Sequence, residues 1–501
     1  MTSAAAQLRA LLGLRWQMAR APGLHVGIVL GALAVVWLLS LVLGSASSLD
    51  PVSLATAVEL APAAYLGFGL LAVVAPLTAG GGNEVVPPDQ LVAYPVRPST
   101  QFVGGLLLAP ANLVWVLQLL VLAAMTAYLT IGGSLLRGGL TSLAYVLGLT
   151  VLGQALAWLV VGLRQTRRGR QVVAVAGFAL LVTAVAIVRL GYGDAVLASS
   201  PTRRVVRAVV LGGAGELQLW LVTTGALLLA LALGLFGGVR LCAWALSRPG
   251  DARSGRRTGP VRRRAPRRSA LLELVAVDRA SVWRAPALRR GGLVLAVLPG
   301  LVAAGAAVPW ESLVILPGLV AAGAGLLFGI NAFCLDGSGA VWLASLPHDP
   351  RLVLRAKAVV LSETVLAAVV LAAVSGSLRS PGTPTPSEMT AIVASGVACT
   401  VVVVTLALAS SVRRPHRADL SGPRDAVAPP GALALASLRL AVPTALVGIL
   451  LGSSLQLGAW WWPLVVALPP LLLCWLSLRR TFARYADPVV RARVVQVVAA
   501  G

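Results

Sequence analysis

The sequence predicts an all-α polytopic membrane protein, and three observations carry that expectation. Of 501 residues, 58% are apolar and only 12% are charged, about half the charge of an average soluble domain. The mean hydropathy is +0.88. Several apolar runs exceed the roughly 20 residues a helix needs to cross a bilayer. This composition excludes an ordinary soluble enzyme. A spanning β-barrel is disfavoured too, because the apolar residues come in long runs and do not alternate.

Twelve spans are expected, near 24–44, 56–79, 102–131, 139–163, 171–190, 217–246, 288–308, 313–334, 354–377, 389–411, 431–454 and 457–478. With both termini cytoplasmic, 35 of the 41 basic residues fall inside. Six fall outside: Arg137, Arg189, Arg203, Arg204, Arg207 and Arg379. Inverting the chain would expose the Arg164, Arg167, Arg168, Arg170 cluster, against the positive-inside bias. The connection 191–216 is long for an outer loop and carries three Arg. A short amphipathic or re-entrant helix at the outer interface accounts for both, the alternative being a miscounted span. The first apolar run follows three Arg and is long enough to stay as a span, so no cleaved leader is expected.

Net charge is +24, and forty of the 41 basic residues are Arg; the sole Lys is Lys357. The Arg bias fits a GC-rich bacterial genome, hence a bacterial plasma membrane. A pI of 11.6 in a soluble chain would suggest nucleic acid. In an apolar chain it reads as orientation, and no nucleic-acid partner is expected. Cys242, Cys334, Cys399 and Cys474 all lie in apolar segments without metal spacing, which reads as small buried hydrophobes. His25, His348 and His416 are scattered, so no metal site is expected.

The chain divides into a first half, 1–246, an Arg-rich linker, 247–269, a second half, 270–478, and a cytoplasmic tail, 479–501. The linker holds nine Arg and one acid, Asp251, too polar to bury a core. It can also touch anionic lipid heads. The halves read as a parallel repeat. Arg20-Ala21-Pro22-Gly23-Leu24 matches Arg284-Ala285-Pro286-Ala287-Leu288, and Leu91–Pro98 matches Leu343–Pro350, in the same order at offsets of 264 and 252. An amphipathic segment precedes each half's first span. Leu8, Leu11, Leu12 and Trp16 share a face in one, and Leu271, Leu274, Val275, Val282 and Trp283 in the other. Such helices suit a membrane interface, and Pro22 and Pro286 end them.

The loops after the second and eighth spans carry the most specific pattern. The second copy reads Asn331-Ala332-Phe333-Cys334-Leu335-Asp336-Gly337, then Leu343, then Leu346-Pro347-His348-Asp349-Pro350-Arg351, then Lys357. The first copy is degraded: Asn83-Glu84 and Pro87-Pro88-Asp89 stand in place of the Asn-x-Phe-x-x-Asp-Gly stretch, Tyr94-Pro95 and Pro98 survive, and Arg97 lies between them. The pattern resembles the permease subunits of ABC-type exporters, a six-helix-per-half family with an interfacial helix before its first span. The resemblance implies that both loops are coupling helices docking on a separate ATPase chain in two copies. ATP and Mg would then belong to the partner, and the chain itself would not be an enzyme. It implies export of a small cargo, here expected to be amphipathic or lipid-like. Asp336 or Asp89 is expected to cap the coupling helix through backbone N–H groups. The alternative is a capped loop with no partner.

A phosphate-cradling loop needs Gly-x-x-x-x-Gly-Lys-[Ser/Thr]; Lys357 stands between Ala356 and Ala358, so none exists. Intramembrane polar residues are functional candidates by default. Asn112, Gln118, Gln154 and Glu363 are the candidates for a translocation path. Glu363 lies six residues after Lys357, poor spacing for a shared helical face. Its alternative reading is a buried carboxyl bonded to a neighbouring helix. The rival function is an ion-coupled secondary transporter, with Glu363 its one central carboxyl. A lipid-linked transferase would need clustered outer carboxylates, and these are scattered.

Overall fold

The computed structural model describes residues 61–70, 96–107, 113–130, 133–248, 269–305, 307–328, 331–416 and 430–499, with the single residues 6, 7, 9, 13, 58 and 72. The described residues are 87% helical and contain no strand. Seven helices are long and apolar enough to cross a membrane: Leu135–Arg164, Arg168–Ile187, Leu217–Leu246, Pro350–Arg379, Pro386–Arg413, Arg439–Leu457 and Trp462–Ala486. At 1.5 Å per residue, the 19 to 30 residues of each cover the ~30 Å hydrocarbon core.

These seven stand where the fourth, fifth, sixth and last four of the twelve expected spans were placed. The remaining five differ. The first lies outside the described residues. Of the second, residues 61–70 form a helix. The third is described as two helices, Pro98–Leu107 and Leu113–Leu129. The seventh falls in Pro286–Gly305, which carries Pro299 inside it. The eighth is shorter than expected. Its helix spans Leu316–Phe328, about 20 Å, and residues 332–338 are turn, not span.

The chain forms two compact units, 1–252 and 253–501. In the first, helix 135–164 is the central element. Ser134 caps its start by accepting from the Arg137 N–H, and Gly138 lets the Thr130 methyl approach closer than a Cβ would allow. Its inner face meets a buried polar knot in which the Tyr65 hydroxyl lies 3.0 Å from Thr126 Oγ1 and 2.5 Å from Ser142 Oγ. Tyr145 donates to the Tyr65 carbonyl at 2.6 Å. Between the fifth and sixth expected spans lie two short helices, Gly193–Ser199 and Pro201–Ala214. The second is amphipathic: Val205, Val206, Ala208 and Val209 are buried while Arg203, Arg204 and Arg207 are exposed. Gly215, at φ 118°, then turns the chain into helix 217–246.

In the second unit, helix Pro386–Arg413 is the buried pillar. A capping box of Thr385 and Glu388 starts it, and small residues along it (Ala391, Ser395, Ala398) let its neighbours close in. Helices 316–328, 430–453 and 462–486 pack on it. The amphipathic helix expected before Pro286 is present as Ala270–Arg284. Its Leu271, Leu274, Val275 and Val282 pack on Ala356 and Val360 of helix Pro350–Gly376. Residues 479–501 are not a simple tail. Helix 462–486 runs through their start, and Pro488–Ala499 forms a further helix buried at Val494 and Val498.

Candidate functional site

The second unit's loop, residues 331–350, is built from both ends. At its start Asn331 is fully buried and donates from Nδ2 to the His416 carbonyl at 2.6 Å. The Ala332 N–H donates to Ser411 Oγ at 2.9 Å. Both partners lie at the end of the 386–413 pillar. Burial together with the Arg414 charge holds the His416 imidazole below its ordinary pKa. Phe333 then buries its ring on Tyr485, centroids 5.5 Å apart and nearly parallel.

Next comes an ionic triad. Lys357 Nζ donates to Asp336 Oδ1 at 2.7 Å and to Asp278 Oδ1 at 3.0 Å. Its side chain is 5% exposed, and those of Asp278 and Asp336 17% and 12%. The same ammonium stands 5.7 Å from the centre of the Phe333 ring. Burial raises the Asp336 carboxyl above the usual carboxylate range, with the Lys357 charge opposing. Burial also pushes the neighbouring Cys334 thiol up to about 12. Gly337 follows with φ 46°, a left-handed backbone that favours glycine.

The short helix Gly339–Ser345 stands beyond it. Ala340 is buried and Leu343 packs on the core, while Val341, Trp342 and Leu346 are exposed, Trp342 by 73%. Asp336 does not cap this helix as expected. The N-cap position is Ser338, which makes no side-chain cap bond, and the Asp336 carboxylate is turned inward to Lys357. The next helix, 350–376, is the capped one: Asp349 Oδ1 accepts from the Arg351 N–H at 2.9 Å ahead of Pro350. His348 Nδ1 lies 2.9 Å from the Leu346 carbonyl, closing the turn after Pro347. Between helix 339–345 and helix 488–499 lies a groove of about 220 Å³. Asp336, Phe333 and Tyr485 line it, together with His348 and Arg491.

The other expected site residues are placed as follows. Asp89, Tyr94, Pro95 and Asn112 lie outside the described residues, as does the side chain of Gln118. Arg97 is exposed, and its N–H donates to Gln7 Oε1 at 3.4 Å; Pro98 opens helix 98–107. Gln154 is buried with its Nε2 unpartnered, as is Trp158 Nε1 one turn further along. Glu363 binds Arg279 of the amphipathic helix, a carboxyl bonded to a neighbouring helix, with both side chains about half exposed on the protein's own surface. The sequence reading missed Asp278, Arg279, Tyr485 and Arg491. A lone buried-type cation opening a span was the available signal, since an ammonium there demands acidic partners.

No family model matches the chain, and no curated protein or solved structure does either.

Proposed function

We propose that the chain is the membrane-spanning permease subunit of an ATP-driven exporter in a bacterial plasma membrane, with both termini cytoplasmic and two copies of a separate ATPase as partner. The observation that supports it best is the short helix 339–345. It links apolar helices 316–328 and 350–376, is anchored at both ends, and turns Val341, Trp342 and Leu346 outward. An exposed aromatic rimmed by polar residues is the usual anchor of a protein interface. Displacing this helix tilts the two helices it joins, which is the movement an engine outside the membrane has to impose. The equivalent loop around Asp89–Pro98 is the second docking point in this reading. ATP and Mg are held by the partner. The chain's one lysine is buried between two aspartates and is not available to a nucleotide phosphate.

The cargo is an amphipathic or lipid-like small molecule in this reading, because the helix surfaces are apolar and nearly free of charge. The rival reading, an ion-coupled carrier, rested on Glu363 as a central carboxyl. That residue's pairing with Arg279 at an exposed position weakens it.

Isolation of the chain from its native membrane tests the proposal. An ATPase should copurify, and reconstituted vesicles should export only with nucleotide. Transport by the chain alone, driven by a proton or sodium gradient, would overturn it.

A further inference from the structure

We infer that Lys357 is the clasp of the docking loop, a positioning residue that locks residues 331–338 to the amphipathic helix 270–284 so that the loop transmits force as a rigid body. The inference rests on the coupling role proposed above for helix 339–345.

Four observations converge on it. The two aspartates come from different elements: Asp278 from the amphipathic helix and Asp336 from the loop, 79 and 21 residues away in sequence. Lys357 itself sits on a third, helix 350–376, so one ammonium ties three elements. The cluster is buried, and a buried ion pair resists separation because each partner left alone keeps its full desolvation cost. The tie also continues outward. Asp336 follows Phe333, which stacks on Tyr485, and helix 488–499 begins three residues later and packs on helix 339–345.

The residue type is informative. At forty other basic positions the chain uses Arg. A guanidinium is a planar fork suited to one bidentate carboxylate, whereas an ammonium is a compact charge with three donors at tetrahedral angles. Two aspartates approaching from different elements, with an aromatic face nearby, fit the ammonium. In sequence the first unit lacks the lysine and one of the two acids, keeping Glu84 at the position of Asp336. At the repeat offsets of 264 and 252, Leu14 and Gly105 stand where Asp278 and Lys357 do. The clasp therefore makes the second loop the stiffer of the two.

Cys334 provides a direct readout, because it lies in the clasped segment and is only partly exposed. Two variants of the full-length chain are compared with wild type: Lys357→Met, and the charge-neutral set Asp278→Asn, Asp336→Asn, Lys357→Met. The second removes the ions without leaving a buried charge unpaired, so that it folds even where the first does not. Maleimide labelling of Cys334 is followed by peptide mass mapping in native detergent-solubilised protein. We expect the labelling rate to rise by about tenfold or more in the neutral set, with the thermal midpoint near wild type. ATPase recovered with the neutral set should fall below that recovered with wild type. Cys334 remaining as protected as in wild type would overturn the clasp. A fast-labelling variant that retains its full ATPase complement and coupled export would overturn its role in transmission. A wild-type chain that brings down no ATPase would instead sink the exporter reading, and the clasp would then be judged on Cys334 labelling alone.

Discussion

Arg279 and Glu363 meet through a forked pair of hydrogen bonds, Nε to Oε2 at 3.0 Å and Nη2 to Oε1 at 2.6 Å, across 84 residues of sequence. The pair lies beside the Lys357 triad on the same two helices, but unlike the triad it is open to its surroundings.

Glu363→Gln should leave ATP-driven export within about twofold of wild type, since the amide oxygen still accepts one of the two Arg279 hydrogen bonds. Export in reconstituted vesicles measures this. Abolished transport would restore Glu363 to the role of an essential proton carrier.

Within the triad the three residues should respond unequally. Lys357→Met leaves two carboxylates facing each other away from water and should cost on the order of 3 kcal/mol or more. Asp336→Asn keeps the shape and leaves a Lys357–Asp278 pair, so it should cost only about 1 kcal/mol. Denaturation of the solubilised protein ranks them, and equal losses would show that the triad does not work as a charge-balanced unit.

Asp349→Ala removes the side-chain cap of helix 350–376 and should cost about 1 kcal/mol, with Asp349→Ser recovering most of it. Thermal midpoints of the two variants check the difference. Failure of Ser to recover would mean that Asp349 acts through some contact other than the Arg351 N–H.

In the first unit, Tyr65→Phe should cost about 1 kcal/mol, the usual worth of an interhelical hydrogen bond in a membrane. Thr126 and Ser142 keep their mutual bond at 2.7 Å, so neither hydroxyl is left orphaned. A loss several times larger would indicate that the knot is cooperative.

Expressed separately, residues 1–250 and 266–501 should each insert and survive detergent extraction as folded protein, because each contains one compact unit and the Arg-rich stretch between them supplies no core. Size-exclusion profiles of the two pieces check this. Aggregation of either one would show that the unit needs its other half to fold.

How much of this was legible in the sequence depends on range. The helical membrane class follows from composition, the amphipathic helix 270–284 from its apolar periodicity, and a short helix between 191 and 216 from that connection's length and Arg content. The expected cap at Asp336 failed because its carboxylate is drawn inward to Lys357, which leaves helix 339–345 without a side-chain cap at Ser338. The triad could not be read. Asp278, Asp336 and Lys357 are joined by packing of three elements, and no spacing rule links residues 79 positions apart. For Glu363 the sequence left two readings, a translocation path or a carboxyl bonded to a neighbouring helix, and the Arg279 pair matches the bonding of the second.

The single lysine has a practical consequence for chemistry aimed at amines. The chain's only side-chain amine is sealed between Asp278 and Asp336, so acylating reagents and amine-directed cross-linkers find no lysine to attack on the native surface. Lys357 becomes a target only when the segment around it opens. Acylation at this one position therefore reports local unfolding at a single address, against a background that forty arginines leave silent.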